Sequence, residues 1–250
     1  MSADSPKAAG VFVTGTDTGV GKTLVAAALA RFLSGQGLRV GVMKPVETGV
    51  ADPSSPGPDA ALLQWSCGGS EDPETIAPYR MCHPLAPSVA AEKEGVRIDP
   101  ARIIDAARRL SVNNDFLVVE GAGGLMVPLS GGLLMADLAR AIGFPLLVVC
   151  RPGLGTINHT LLTIFAARSM EIPLAGFLIN GMPQEPDLAE ESAPHTLASL
   201  ASADLLGVLS RVPGDERQKV AALAKEIGAL PTLPWLLANL GVPEQRRKQL

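Results

Sequence analysis

A chain of 250 residues, 47% of them hydrophobic, can bury the core of one large α/β domain, and with aromatics at 4% that core rests on Ala, Leu, Val and Ile. The formal net charge of −4 speaks against non-specific nucleic-acid binding, and the scattered Cys67, Cys82 and Cys150 form neither a disulfide framework nor a zinc motif. No basic-then-apolar leader opens the chain and no apolar run is long enough to span a bilayer, so the expectation is a cytoplasmic protein without nucleic-acid or membrane partners.

Residues 1–10 are small and polar and read as a loose N-terminus, followed by an apolar strand over Val11–Thr14. Next comes Gly15-Thr16-Asp17-Thr18-Gly19-Val20-Gly21-Lys22-Thr23, and then an Ala/Leu-rich helix over Lys22–Gln36 that stops between Gly35 and Gly37. A strand, a glycine-rich turn and Gly-Lys-Thr at a helix start form a phosphate cradle, with backbone N–H groups from Gly19 to Leu24 converging on phosphate oxygens. Lys22 is expected to reach the β- and γ-phosphates, and the Thr23 hydroxyl to take a position on Mg²⁺. Thr16 stands where the usual pattern has its first glycine, with Gly15 one step earlier. The bland alternative is a merely flexible turn, but a lysine at a helix N-terminus is costly without an anion.

A strand over Arg39–Lys44 leads into Lys44-Pro45-Val46-Glu47-Thr48-Gly49. The Pro/Ser/Gly-rich stretch Ala51–Pro58 reads as a loop beside the site, not a domain boundary, before a helix over Asp59–Ser66. Further on, a helix over Pro100–Leu110 precedes a strand over Phe116–Glu120 and the run Gly121-Ala122-Gly123-Gly124. Then follow helix Met135–Ile142, strand Leu146–Cys150, the turn Arg151–Thr156, helix Ile157–Met170, strand Leu174–Asn180 with Gly181, helix Asp187–Ala201 and strand Leu205–Leu209. Residues 241–250 read as a tail. This alternation predicts one α/β domain over 1–250, a mostly parallel sheet with helices on both faces and its site at the C-terminal rim of the strands.

Lys44 could snorkel to solvent, or act as a second cation beside Lys22 that neutralises a transferred phosphoryl group. Glu120 would be expensive to bury as a lone carboxylate, and a bound cation would compensate. Asp59 opens a helix, where it serves either as N-cap or as a metal contact. Thr23, Asp59 and Glu120 together offer Mg²⁺ hard oxygen donors. Gly153-Leu154-Gly155-Thr156-Ile157-Asn158 is a second glycine turn before a helix, suited to a carboxylate or simply an ordinary turn. His83, His159 and His195 lack a Ser or Cys partner at recognisable spacing and read as structural or surface residues.

From Val11 to about Val212 the chain resembles the dethiobiotin synthetases of the P-loop NTPase superfamily. Residues 13–23, Lys-Pro-Val-Glu-Thr-Gly at 44–49, Val-Glu-Gly-Ala-Gly-Gly at 119–124 and Leu-Gly-Thr-Ile-Asn-His at 154–159 carry the resemblance. It implies an ATP- and Mg²⁺-dependent ring closure in biotin synthesis. CO₂ and 7,8-diaminononanoate give dethiobiotin by way of a carbamate and a carbamic-phosphoric anhydride, with release of ADP and phosphate.

By the family's pattern Lys22 and Lys44 are catalytic, and Gly19, Val20, Gly21, Thr23, Leu24, Asp59, Glu120, Gly121, Ala122, Gly123, Asn180 and Gly181 serve the nucleotide, with Asn180 reading the adenine. Thr18 and Thr48 serve the diamine end of the substrate, and Leu154, Gly155, Thr156 and Asn158 hold its carboxylate across a homodimer interface. Many members carry glutamate where this chain has Gly19, and Ser210–Pro213 fits the nucleotide-base loop loosely, which leaves base preference open. The septum-positioning and plasmid-partition ATPases share this loop but carry an extra lysine where this chain has Asp17. Cobyrinate-type synthetases share it too, with a glutaminase domain for which 250 residues leave no room. A nucleotide binder without catalysis is the remaining alternative.

Overall fold

Continuous apolar strands are stable only when both faces are covered, and the chain alternates accordingly. In a computed structural model, which describes residues 9–247, the elements run in the order β1 (Ala9–Gly15), α1 (Lys22–Gly35), β2 (Val40–Met43), β3 (Val46–Thr48), α2 (Pro58–Cys67), α3 (Pro73–Ile76), β4 (Tyr79–Met81), α4 (Pro87–Glu94), α5 (Pro100–Asn113) and β5 (Phe116–Gly124). They continue with β6 (Pro128–Ser130), β7 (Leu133–Leu134), α6 (Met135–Ile142), β8 (Leu146–Cys150), α7 (Thr156–Ser169), β9 (Leu174–Met182), α8 (Leu188–Leu200), β10 (Leu205–Ser210), α9 (Glu216–Gly228), α10 (Leu233–Asn239) and α11 (Glu244–Arg247).

The central sheet has six strands in the order β10-β9-β8-β1-β5-β2, and every pairing in it is parallel. Its inward and outward positions alternate as the pleat demands. Val11, Val13, Val118, Leu147 and Val149 enter one core with α1, α2, α9 and α10. Phe12, Leu117, Val119, Leu146 and Val148 enter the other, with α4 to α8. On the first face Trp65 of α2 lies between the guanidinium groups of Arg31 on α1 and Arg217 on α9, 4.8 and 5.0 Å from its ring centre. This double cation–π contact ties the helices that flank the phosphate turn.

β1 is central, and the chain leaves it toward later strands on both sides, β5 and β8. Such a switch point opens a crevice at the strand C-termini. β1, β5 and β9 extend beyond the spans expected from sequence: pairing with β5 begins at Ala9 and resumes at Gly15↔Gly124 after an irregularity, and β9 runs on to Met182, which pairs with Ser210. The short parallel pair β3–β4, the hairpin β6–β7 and the short helices α3, α4, α10 and α11 have too few periodic residues, or too little contrast, to stand out in the sequence.

Of the loose N-terminus, Ala9 and Gly10 belong to β1 and residues 1–8 lie outside the described residues. Of the tail, Val242 is buried and Glu244–Arg247 is helical, while 248–250 lie outside the described residues. No single helix among the described residues is long and apolar enough to cross a membrane; α9 and α10 reach that length only together, bent by 101°.

Candidate active site

The turn after β1 is held open for an anion. Gly19 (φ 76°) and Gly21 (φ 89°) are left-handed, a conformation that favours glycine, and Gly21 is the N-cap of α1. A Cβ on Gly21 would lie 2.2 Å from Asn180 Nδ2, which donates to the Val20 carbonyl at 3.0 Å. No side chain caps α1, and its first turn carries no acidic residue. Lys22 is buried, and its ammonium donates to the Asp17 carbonyl at 2.9 Å across the turn. Burial pushes its pKa below the ordinary lysine value, with Lys44 adding repulsion and Glu120 opposing. An ammonium so placed is short of anionic partners, as a phosphate site requires.

Parallel register brings the second cation to the same rim. Val119 pairs with Met43 of β2, and Glu120 pairs with Val13 of β1, so Lys44, one residue past Met43, comes beside Glu120. Lys44 Nζ lies 2.6 Å from Glu120 Oε1 and 2.7 Å from Asp59 Oδ2. The Thr23 hydroxyl donates to Glu120 Oε1 at 2.8 Å. Lys44 therefore does not snorkel; it is 4% exposed. Burial alone would lower its pKa, but the charges of Glu120 and Asp59 and its hydrogen bonds to them outweigh that and hold it above the ordinary value. Glu120 is 0% exposed, and burial, reinforced by Asp59, pushes its carboxyl up against the pull of Lys44.

Two details differ from the sequence reading. Glu120 lies inside β5 instead of ending it, since the strand runs on past an irregularity in its pairing with β1 to Gly124, which pairs with Gly15. Asp59 is not the N-cap of α2; that position is Gly57, and Asp59 sits in the first turn with its carboxylate turned to Lys44.

The walls enclose a cavity of about 760 Å³. Thr18, Gly19, Gly21, Lys22, Thr23 and Leu24 line it from the phosphate turn; Lys44, Thr48 and Asp59 from the next two loops; Glu120, Ala122 and Gly123 from β5. Val20 and Gly121 face inward behind it, Gly121 against Phe12 and Met135. Asn180 bonds to the Val20 carbonyl of the turn, and neither it nor Gly181 (φ 88°) is on the cavity wall. The turn at Leu154, Gly155, Thr156 and Asn158 does not reach the cavity of its own chain. Its neighbour Arg151 stands 3.8 Å from Asp17. Sequence reasoning assigned no role to Glu47, Pro84, Val127 or Glu216, which also line the cavity. Only Glu47 carried a signal, a carboxylate on a short strand inside a motif.

Among the described residues no group of three or more His, Cys, Asp or Glu gathers around a metal position. The donors here are two carboxylates and a hydroxyl, a set that suits a hard cation completed by phosphate and water. Glu120 Oε2 is buried without a hydrogen-bond partner, so a lone pair is free for such a cation.

A glycine cradle at a helix start, set on the switch point of a parallel sheet with paired lysines, defines a P-loop nucleotide-binding enzyme. Residues 9–219 match the family model described as AAA domain. The fold is similar to that of the MinC:MinD cell division complex of Aquifex aeolicus, with a TM-score of 0.55, 14% identity and 94% of each chain covered. That likeness concerns the fold alone. The chain is 44% identical over 222 residues to the ATP-dependent dethiobiotin synthetase BioD of Anaeromyxobacter dehalogenans (strain 2CP-C), covering 88% of this chain and 97% of the relative. To the protein of the same name from Bacillus subtilis (strain 168) it is 37% identical over 217 residues, covering 87% and 94%. The chain belongs to the dethiobiotin synthetase family.

Proposed function

We propose that the cavity holds ATP and 7,8-diaminononanoate side by side, and that Lys22 and Lys44 stabilise the charge that passes between them. The reaction is that of the family: ATP-dependent formation of dethiobiotin, a ligase step of biotin biosynthesis. The observation that carries this reading is that two buried lysines face one cavity together with Glu120, Asp59 and Thr23.

The phosphate turn takes the triphosphate, with Lys22 leaving the Asp17 carbonyl for the β- and γ-oxygens. Thr23, Asp59 and Glu120 would hold Mg²⁺, which when bound would supply charge neutralisation on those oxygens. One substrate amine takes up CO₂ to form a carbamate. Lys44, already protonated, lies where the carbamate oxygen and the γ-phosphoryl group meet, and steadies both anions during attack on phosphorus. ADP leaves, and the neighbouring amine then attacks the carbamoyl carbon and expels phosphate, closing the ring. Thr18 and Thr48 orient the diamine end.

The carboxylate tail of the substrate is assigned to Leu154, Gly155, Thr156 and Asn158 of a second copy in a homodimer. Two observations support this: the turn misses its own cavity, and exposed apolar side chains stand in and beyond it, Leu154 in the turn and Leu162 and Phe165 on α7. Asn180 is assigned to the base, its Oδ1 left to accept from an amino group while Nδ2 holds Val20. The test is direct detection by mass spectrometry of dethiobiotin from ATP, Mg²⁺, bicarbonate and 7,8-diaminononanoate. Product confirms the assignment, and its absence with a folded, ATP-binding protein rejects it.

A further inference from the structure

We infer that Glu47 is a positioning residue, whose carboxylate fixes the first turn of α2 so that Asp59 is presented to the cation. This rests on the metal role proposed above for Asp59.

Helix α2 starts without a cap of its own. Its N-cap is Gly57, which has no side chain, and Pro58 follows it. The N–H groups of Asp59 and Ala60 therefore have no local acceptor, and such groups are costly to bury unpaired. Glu47, ten residues before the N-cap and on β3, supplies one. Its Oε1 accepts from the Asp59 N–H at 2.7 Å and its Oε2 from the Ala60 N–H at 3.3 Å.

The fit leaves no slack. A Cβ on Gly57 would lie 2.3 Å from the Glu47 Cδ and 2.4 and 2.5 Å from its two oxygens. Residue 57 must therefore be glycine for the carboxylate to reach the helix. Glu47 is 3% exposed, its strand pairs with β4, and neighbouring Thr48 lines the cavity. Burial raises its pKa above the ordinary value, against the opposing N–H bonds from Asp59 and Ala60.

Asp59 is thus restrained at both ends, its backbone by Glu47 and its carboxylate by Lys44. A cation that takes over the carboxylate relieves the Lys44 restraint, and the Glu47 restraint then sets where Asp59 stands. A serine or aspartate at position 57 could cap the helix, yet it would not link this turn to the strand that carries Thr48. A partner of a metal-holding carboxylate typically affects metal affinity about 10- to 100-fold.

The experiment measures binding of a non-hydrolysable ATP analogue to the full chain in Mg²⁺ and in EDTA, for wild type, Glu47→Ala, Glu47→Gln, Asp59→Ala and the Glu47→Ala/Asp59→Ala pair. The expected result is that Glu47→Ala and Asp59→Ala each lose about 10- to 100-fold of the Mg²⁺-dependent affinity, with EDTA affinity unchanged. The pair loses no more than either alone, and Glu47→Gln, which keeps an acceptor for Asp59, recovers most of the loss. Should Glu47→Ala fail to fold, Gly57→Ala, which pushes on the same carboxylate, gives the same signature. Equal losses in Mg²⁺ and EDTA would make Glu47 a plain structural cap and overturn the proposal. So would a Glu47→Ala protein with intact Mg²⁺ dependence where Asp59→Ala has lost it. If Asp59→Ala itself keeps full Mg²⁺ dependence, the metal role of Asp59 fails, and with it this inference.

Discussion

Lys44 Nζ and Glu120 Oε1 lie 2.6 Å apart in the floor of the cavity, with Asp59 on the other side of the ammonium and the Thr23 hydroxyl on the same carboxylate oxygen. One lysine thus stands among the oxygens proposed to hold the cation. Because Glu120 has no exposure, whatever neutralises it matters for folding as well as for chemistry.

Lys44→Ala should therefore be less stable than wild type by about 3–5 kcal/mol, since it leaves a buried carboxylate unpaired. Chemical denaturation measures this, and added Mg²⁺ should restore part of the loss by supplying a cation to the same oxygens. A Lys44→Ala protein as stable as wild type would mean that Glu120 is not charged in the folded state.

Nucleotide affinity should fall on the alkaline side. The protonated Lys22 ammonium is the form that binds phosphate, and burial holds its pKa below the ordinary lysine value. Bound phosphate favours the ammonium, so binding is coupled to proton uptake once pH reaches that lowered value. Affinity is full below this value and declines as pH rises through it. Calorimetry in buffers of different ionisation enthalpy reads the proton uptake directly; its absence up to pH about 10.5, the unperturbed lysine value, would contradict the assignment of Lys22.

Two glycines of the phosphate turn should respond differently. At Gly21 a Cβ meets Asn180 Nδ2 at 2.2 Å, so Gly21→Ala should displace Asn180 and abolish nucleotide binding. At Gly19 nothing lies within 4 Å, and Gly19→Glu should cost only the left-handed backbone strain, about 1–2 kcal/mol. Thermal denaturation and nucleotide titration of both variants check the contrast.

The rim of the sheet was readable from the chain because its signals are local. Apolar runs of strand length, glycines after them, Lys44 and Glu120 at the ends of such runs and Lys22 at a helix start need no tertiary knowledge to be seen. The partners of those residues were less accessible. Asp59 bonds to Lys44 through its carboxylate and to Glu47 of another strand through its N–H, and the second is a relation across twelve residues that no periodicity encodes. The continuation of β5 through Gly121–Gly124 was hidden for the opposite reason, since glycines read as strand breakers and here they span an irregularity after which the pairing with β1 resumes at Gly124. The turn at Leu154–Asn158 faces away from its own cavity, so no single chain reveals its role.

Phe165 and Leu154 are 70% and 86% exposed on and beside α7, and Leu162 shares their face. Phe165→Glu should shift the protein to monomer in sedimentation velocity. Its turnover should fall through a raised KM for the diamine and not for ATP, because only the substrate carboxylate is assigned across the interface. A dimer that persists unchanged in Phe165→Glu would remove this face from the account.

The most direct measurement is phosphate release from ATP, Mg²⁺ and bicarbonate, with and without 7,8-diaminononanoate, in wild type and Lys44→Gln. The glutamine keeps an N–H donor for Glu120 but carries no charge. Wild type should release phosphate only when the diamine is present, and Lys44→Gln should bind ATP yet turn over about 10²–10³-fold more slowly. Phosphate release independent of the diamine, or a Lys44→Gln rate near that of wild type, would contradict the claim that paired lysines at this rim carry phosphoryl transfer to the carbamate.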